Sequence, residues 1–143
     1  MAEEDELFPF EMLVQATPIS LQASANSKQQ WMEHLKQIAL ARREETYELG
    51  FLDHRALAVT ILYFTAAPME GDIDNIIKPI LDSLIPVVYL DDKVIERIVA
   101  QKLEPDVDWQ LTSPTDQLAA ALDLTPPVVY IRVDDDFGWR TLQ

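Results

Sequence analysis

The chain lacks cysteine entirely and has only two histidines among its 143 residues. Without cysteine there can be no disulfide framework, no thiolate nucleophile and no cysteine-ligated zinc. His34 and His54 stand apart, without the spacing that zinc ligands show, so we expect both to be surface or hydrogen-bonded histidines. Any metal ion would therefore be held by oxygen ligands or by one of these histidines.

The chain also lacks a long hydrophobic run and a basic N-terminus. A transmembrane helix needs roughly 18 or more apolar residues in succession, and no stretch approaches that length. The first residues, MAEEDE, are acidic where a secretory signal would be basic. We expect no membrane span, and we expect the protein to be cytoplasmic.

Basic residues are scarce relative to acidic ones. Lys and Arg number 11 and Asp and Glu number 25, which gives a formal net charge of −14. Proteins that bind nucleic acids usually carry a basic face, because contacts with the phosphate backbone dominate affinity. Acidic runs lie at residues 3–6 and 134–136, yet the rest of the chain is not basic either. Taken alone, the charge favours a protein or small-molecule partner over DNA.

Length and composition indicate a single folded domain. A chain of 143 residues with 48% hydrophobic residues is long enough for one core and too short for two ordinary domains. We expect a flexible acidic tail over residues 1–7 and one domain over residues 8–143.

Hydrophobic patterning predicts the elements of this domain. The predicted strands cover residues 8–16, 56–64, 94–103 and 128–133. A first helix is predicted over residues 27–43 with Asn26 or Ser27 as its cap, a second from a cap at Asp74 or Asn75, and a short third over residues 116–122. The expected fold class is α+β, with a single two-layer domain, about four strands in a mixed sheet and the helices packed on one face.

Charged residues with the chemistry of a metal site surround the predicted second helix. Asp72 and Asp74 are two residues apart, so both carboxylates point the same way if the chain is extended there. Lys78 and Asp82 follow at successive intervals of four, which places them on one stripe with Asp74 if the helix begins at 74 or 75. These carboxylates are the oxygen ligands that Mg²⁺ prefers.

Asp91 and Asp92 come next, at the start of the third predicted strand. Either carboxylate could close the same site, although spacing alone does not establish it. Each part also has an ordinary structural interpretation: helix capping for Asp72 and Asp74, an exposed ion pair for Lys78 and Asp82, and a turn for Asp91-Asp92. An EF-hand is excluded, because its loop would require Gly and Glu where Ile77 and Ser83 stand.

The whole string, rather than any single pair, is what makes this region distinctive. The segment from Gly71 to Leu84, GDIDNIIKPILDSL, and the later DDKVI from Asp91 follow the pattern D-x-D-N-x-x-K-x-x-x-D-x-L with a subsequent D-D pair. This pattern resembles the RusA-type Holliday junction resolvases, a family of crossover junction endodeoxyribonucleases. The resemblance implies that residues 8–143 form a RusA-like endonuclease domain.

The resemblance also implies roles for individual residues. Asp72, Asp74 and Asp92 would hold a catalytic Mg²⁺, for which Mn²⁺ can substitute, and Lys78 would be the catalytic lysine. Asp91 would be the alternative metal ligand, and Asp82 a supporting residue. The family acts as a homodimer in which each subunit cuts one strand of a four-way DNA junction, resolving Holliday junctions or other branched DNA in recombination and repair.

Two alternatives remain open from the sequence. Better-known members of the family carry a basic N-terminal segment, whereas residues 17–26 here contain no Lys or Arg. The protein could therefore retain the metal site but bind a protein partner or a small phosphorylated ligand without cutting junctions. The other alternative is a purely structural acidic protein.

Overall fold

The computed structural model describes residues 9–46, 55–69, 71–108 and 110–135. Within them the chain forms four strands and three α-helices. In chain order these are β1 (Phe10–Val14), α1 (Ala25–Thr46), β2 (Leu57–Phe64), α2 (Ile77–Ser83), β3 (Ile95–Leu103), α3 (Asp116–Leu122) and β4 (Val128–Asp134). Two 3₁₀ turns, Ile73–Ile76 and Asp92–Val94, lead into α2 and β3. The predicted acidic tail over residues 1–7 lies outside the described residues.

The four strands form one mixed sheet in the order β1-β4-β2-β3. β4 runs antiparallel to both neighbours, with Ile131 opposite Met12 of β1 and Ile61 of β2. β2 and β3 are parallel. Parallel neighbours need a crossover rather than a tight hairpin, so residues 65–94 leave the sheet, form α2 and return. The predicted α+β fold class with a four-stranded mixed sheet is confirmed.

One face of the sheet is covered by α1 and α2. Side chains from alternate strand positions, such as Met12, Ile61 and Ile131, are buried in the same cluster as Leu35 and Ala39 of α1. Leu35 and Ala39 are one helical turn apart and therefore lie on the same side of the helix. This is the apolar face that the sequence pattern predicts for the first helix.

The opposite face is covered at one end by α3. Phe64, Leu103, Val128 and Tyr130 form a second buried cluster with Ala121 of this helix. α3 spans the residues that the sequence predicts for it, 116–122. α1 and α2 therefore lie against one side of the sheet and α3 against the other, so the expected packing of the helices on one face holds for α1 and α2 but not for α3.

β2 and β3 occupy different positions in the sheet. β2 lies between β4 and β3 and is mostly buried, as predicted from its nearly continuous apolar sequence. β3 lies at the edge and is mostly exposed, including Ile98 at 43% and Val99 at 36%. The weak alternation of apolar and polar residues along β3 reflects this edge position.

The start of α1 differs from the predicted one. The helix begins at Ala25, and the hydroxyl of Ser24 accepts a hydrogen bond of 3.1 Å from the backbone N–H of Ser27. Ser24 is therefore the capping residue, and the prediction of Asn26 or Ser27 is wrong. In the described part of the chain, no helix combines the length and apolarity needed to cross a membrane.

The start of α2 also differs. The helix begins at Ile77, after the 3₁₀ turn, so neither Asp74 nor Asn75 is its cap. Pro79 is consequently the third residue of α2. At that position a backbone N–H has no partner within the helix, so the proline interrupts no α-helical hydrogen bond.

Candidate active site

All of the site residues predicted from the sequence lie in the crossover between β2 and β3. This is the segment that leaves the sheet and returns to it. The predicted residues are Asp72 before the first 3₁₀ turn, Asp74 within it, Lys78 and Asp82 on α2, and Asp91 and Asp92 at the second 3₁₀ turn.

Lys78 connects α2 to the beginning of β3. Its Nζ atom lies 3.0 Å from Oδ1 of Asp82, four residues further along the helix, and 2.9 Å from Oδ2 of Asp92. The pair with Asp82 is the i,i+4 contact that the spacing predicts. The pair with Asp92 joins two elements separated by the turn after α2, and helical spacing alone does not predict it.

These ion pairs shift the pKa values of residues that form them. Hydrogen bonds to Asp92 and then Asp82 raise the pKa of Lys78, and the hydrogen bond from Lys78 lowers the pKa of Asp92. Both shifts favour the charged forms of Lys78 and Asp92. Because Lys78 is 51% exposed, the pairs contribute little to folding, on the order of 0.2–1 kcal/mol each. Their accessible charges remain available to a ligand.

Tyr89 lies beneath this cluster. It is fully buried, and its hydroxyl donates a hydrogen bond of 2.6 Å to the backbone carbonyl of Leu81. Burial raises the pKa of Tyr89, and the negative charges of Asp92 and Asp82 raise it further. Tyr89 therefore joins the end of α2 to the chain that leads to Asp92.

Helix α1 also contacts the segment between α2 and Asp92. Nη1 of Arg43 donates a hydrogen bond of 2.9 Å to the carbonyl of Val87, two residues before Tyr89. The preceding residue, Arg42, donates from Nε to the carbonyl of Glu11 in β1, at 2.8 Å. The last turns of α1 therefore hold the approach to Asp92 in a fixed position relative to the sheet.

Asp72 and Asp74 differ from the ion-paired residues. Both are exposed, and neither side chain forms a hydrogen bond or ion pair with the described residues. Asp74 belongs to the 3₁₀ turn, so the predicted continuous stripe through Lys78 and Asp82 is interrupted before α2. The structure therefore brings Lys78, Asp82 and Asp92 into contact and leaves these two carboxylates open to solvent.

Asp91 and Asp92 make different contacts although they are adjacent. Oδ1 of Asp91 accepts a hydrogen bond of 3.0 Å from the N–H of Lys93 and thereby caps the second 3₁₀ turn. Asp92 is the residue that contacts Lys78. These contacts favour Asp92 as the functional member of the pair, while the metal-binding role of either residue stays a prediction.

The donor chemistry of the site suits Mg²⁺ better than a tightly enclosed metal. Over residues 9–46, 55–69, 71–108 and 110–135, no three His, Asp or Glu side chains form a group that could hold a metal ion. A structural zinc site would require such a group. Mg²⁺ instead keeps several waters and is commonly bound through one or two carboxylates together with substrate phosphates. Exposed, unpaired carboxylates at Asp72 and Asp74 fit that requirement.

Two residues near the site were not singled out from the sequence. Tyr89 could have been noticed as a polar-tipped residue ending the apolar run Val87-Val88, directly before the Asp pair. Asn75 follows Asp74 in the motif, and its backbone carbonyl accepts a hydrogen bond of 2.7 Å from the N–H of Leu21. The residue's place in the motif was visible in the sequence, but its contact with the loop after β1 was not.

Comparison with known proteins agrees with the motif. A family model described as endodeoxyribonuclease RusA matches residues 11–108, from β1 to just beyond β3. This range contains the whole crossover with its charged residues. No curated protein matches the chain. The extent of the family match shows that the chain belongs to the RusA family of endodeoxyribonucleases.

Proposed function

We propose that this protein is a Mg²⁺-dependent endonuclease that resolves Holliday junctions or other branched DNA in recombination and repair. Family membership supports the general activity. The observation that carries the assignment to this site is the position of Lys78, which lies between Asp82 and Asp92 in the same crossover as the exposed Asp72 and Asp74. An exposed cation held in this way adds little stability, whereas it is suited to contact a phosphate.

In this proposal each residue has a distinct task. Asp72, Asp74 and Asp92 would hold the metal ion together with a phosphate of the substrate, with Asp91 as the alternative to Asp92. The described residues include no group of three acidic side chains that could hold a metal ion by themselves, so these carboxylates would have to move closer together when the metal ion and the phosphate bind. Bound Mg²⁺ supplies charge neutralisation at the phosphodiester and makes water a better nucleophile. Lys78 exchanges one of its carboxylate partners for the phosphate of the scissile bond and stabilises the negative charge that develops there. Asp82 keeps the lysine oriented, and Tyr89 positions the segment that carries Asp92.

A groove between α1 and α2 supports contact with the DNA backbone in spite of the acidic net charge. Lys28 and Lys36 of α1 line this groove together with two acidic residues, Glu33 of the same helix and Asp82 of α2. The two lysines are eight residues apart and therefore lie on the same side of the helix. We propose that they bind phosphates of a DNA arm that leads towards Lys78. This would supply the cations that the loop after β1 lacks.

The direct test is cleavage of a labelled four-way junction in Mg²⁺, with matched linear duplex as the control substrate. We expect the wild type to introduce paired nicks near the branch point. Asp74→Asn should lower the rate by roughly a thousandfold, because the metal supplies several kcal/mol of transition-state stabilisation. Asp116→Asn, on the distant helix α3, is the matched control and should cleave normally. Full activity in Asp74→Asn would rule out the assignment.

Metal binding has a test that does not depend on activity. A ligand that binds only the folded state raises the melting temperature. Mg²⁺ or Mn²⁺ at ten times its Kd should stabilise the wild type by about 1.4 kcal/mol. The effect should be much smaller in Asp72→Asn. Equal melting curves for both proteins with and without metal would exclude the site.

We also propose that the protein acts as a homodimer, since resolution of a junction requires cuts in two strands. Edge strand β3 is a candidate contact, because it exposes Ile98 on one face of the sheet and Val99 on the other, and its outer edge is unpaired among the described strands. Sedimentation equilibrium should give twice the monomer mass for the wild type and a shift towards monomer for Ile98→Lys. A wild type that stays monomeric with junction DNA would contradict this part of the proposal.

A second candidate function is suggested by the net charge of −14. The protein would then retain the metal site but bind a protein partner or a small phosphorylated ligand. Salt dependence distinguishes the two candidates. Junction affinity should fall steeply as salt rises, and Lys28→Ala should lower the slope of log K against log salt by about 1. A shallow slope that Lys28→Ala leaves unchanged would favour the second candidate.

A further inference from the structure

A pocket of about 400 Å³ opens directly beside Asp72. Its walls come from the loop after β1 (17–20), the loop after β2 (66–69) and the approach to α2 (71–76), and the first of these is distant in sequence from the other two. Tyr63, near the end of β2, and Pro127 complete the lining. Asp72 therefore belongs both to the proposed catalytic site and to the wall of this pocket.

The lining of the pocket is mainly apolar. Pro18, Pro68, Pro127 and Met69 provide flat or adaptable hydrophobic surface. Asp72 is the charged residue among the described residues that line it, and they include no cation. A phosphate would meet only negative charge here, so the pocket is suited to a neutral group.

A few polar groups interrupt the apolar walls. The side-chain amide of Asn75 has no hydrogen-bond partner among the described residues, and it can both donate and accept. Tyr63 is largely buried, and its side chain lines the pocket. An apolar cavity with a small number of convergent polar groups is typical of sites for flat organic ligands.

The walls of the pocket are held in place by contacts outside it. The carboxylate of Glu104, just after β3, accepts a hydrogen bond of 2.8 Å from the N–H of Met69, and this bond lowers the pKa of Glu104. On the other side, the bond from the N–H of Leu21 to the carbonyl of Asn75 fastens the loop after β1 to the 3₁₀ turn. A preformed pocket reduces the entropy lost on binding.

We infer that this pocket receives one DNA base, unstacked from the strand that is cut, next to the scissile phosphate. The inference rests on the nuclease function proposed above, because Asp72 is what places the pocket beside the phosphate. A base is neutral and flat, can lie between apolar side chains and presents an edge that amides and hydroxyls recognise. The pocket would therefore give the enzyme a preference for the base at that position.

The same pocket would contribute to selectivity for branched DNA. Removing a base from a duplex stack costs a few kcal/mol, and the cost is least where the base is already unpaired or poorly stacked. A branch point offers such bases and a linear duplex does not. Occupation of the pocket would therefore favour cleavage at branch points without any further contact to the junction.

The inference is tested by filling the pocket. Ala67 is exposed and lines it, so Ala67→Phe should occupy the space of the base without disturbing the core. Ala120→Phe, at an exposed position on α3, is the matched control. Four junctions that differ only in the base beside the cut site are compared. We expect wild-type and Ala120→Phe rates to differ about tenfold between the best and worst base, as where the edge of a base is recognised by hydrogen bonds, and this difference to disappear in Ala67→Phe.

Tyr63→Phe provides a second variant that leaves the pocket open. It removes a hydroxyl and should change which base is preferred while a preference remains. This result would not follow from general damage to the fold. If both Ala67→Phe and Tyr63→Phe cleave with the wild-type order and ratio of bases, the inference is wrong.

A binding experiment separates this inference from the proposed nuclease function. The methyl signal of Met69 is followed by NMR while each of the four deoxynucleosides, which carry no phosphate, is added to the metal-free protein. We expect shifts in the wild type and in Ala120→Phe that are absent in Ala67→Phe. Such shifts in a protein that cuts no DNA would support the pocket and refute the nuclease. Cleavage with no base preference and no shifts would support the nuclease function and refute the base pocket.

Discussion

Polar residues are used differently in the β1–β4 region and in the crossover between β2 and β3. In the first, the half-buried carboxylate of Glu11 accepts hydrogen bonds from the hydroxyls of Tyr130 and Thr115. This joins β1, β4 and the start of α3. In the crossover, Asp72 and Asp74 are exposed and have no side-chain partner among the described residues.

Within this small domain, the polar residues of the β1–β4 region stabilise the fold, whereas those of the crossover remain available for function. A partly buried carboxylate without partners would destabilise the fold, and Glu11 accordingly accepts hydrogen bonds from two hydroxyls. Exposed carboxylates can remain unpaired at little expense, and they can then bind a ligand. We therefore expect substitutions in the first region to act on folding and substitutions in the crossover to act on activity.

The largest effect on stability should come from the centre of the sheet. Ile131 of β4 is 0% exposed and is paired with Met12 on one side and Ile61 on the other. Ile131→Ala should lower the free energy of unfolding by about 3–4 kcal/mol, because it removes buried methylene groups and leaves a cavity. Urea denaturation monitored by tryptophan fluorescence measures this loss.

The control is the same substitution at the sheet edge. Ile98 of β3 is 43% exposed, so Ile98→Ala should lower the free energy of unfolding of the monomer by less than about 1 kcal/mol. Losses of equal size at the two positions would show that β3 is as essential to the fold as β4. The proposed division between the two regions would then fail.

The next effect concerns activity. Lys78→Met keeps the length of the side chain but removes the charge that lies between Asp82 and Asp92. We expect junction cleavage to fall by about 100-fold or more, as when a group that stabilises developing negative charge is removed. The free energy of unfolding should change by less than about 1 kcal/mol, because the ion pairs are exposed.

Lys93→Met is the matched control for this variant. Lys93 is exposed, and it is the backbone N–H rather than the side chain that contacts Asp91. Its replacement makes the same change in net charge as Lys78→Met, at the residue next to Asp92, and should cause a much smaller loss of cleavage. If both variants lose activity equally, Lys78 contributes only to the general electrostatic attraction of DNA.

Patterns within a single element were sufficient to predict most of the fold. The apolar run of β2 and the boundaries of α3 follow from local sequence, and so does the buried side of α1. The helix starts were harder to predict, because several polar residues compete for each cap. Ser24, Asn26 and Ser27 are all capping residue types, and only the hydrogen bond to the N–H of Ser27 identifies Ser24.

The site was predictable only as far as its contacts are local. The four-residue spacing of Lys78 and Asp82 gave their ion pair. The contact between Lys78 and Asp92 depends on the turn between α2 and β3. No periodic pattern in the sequence predicts the geometry of this turn. The pocket beside Asp72 forms where the loop after β1 meets residues 66–76, and these segments come together only after the sheet has formed, so no sequence pattern indicates it.

The smallest expected effects come from one kind of substitution, Tyr to Phe, made once in each of the two regions. Tyr130→Phe removes the hydroxyl that donates to Glu11, and Tyr89→Phe removes the hydroxyl that donates to Leu81. Each loss should lower the free energy of unfolding by about 1–2 kcal/mol, because a buried acceptor loses its donor. Only Tyr89→Phe should also slow cleavage, because Tyr89 positions the segment that carries Asp92.

Alkaline pH sharpens the test of Tyr130. Burial, and then the hydrogen bond to Glu11, raise the pKa of Tyr130 from 10.0 to about 12. Between these values the unfolded chain loses the phenol proton while the folded protein keeps it, so this contribution to stability is present below pH 10 and is lost as the pH rises towards 12. Unfolding measured across this interval should therefore depend less steeply on pH in Tyr130→Phe than in the wild type. An equally steep dependence would mean that Tyr130 is not the group responsible, and that the contact with Glu11 is weaker than its geometry indicates.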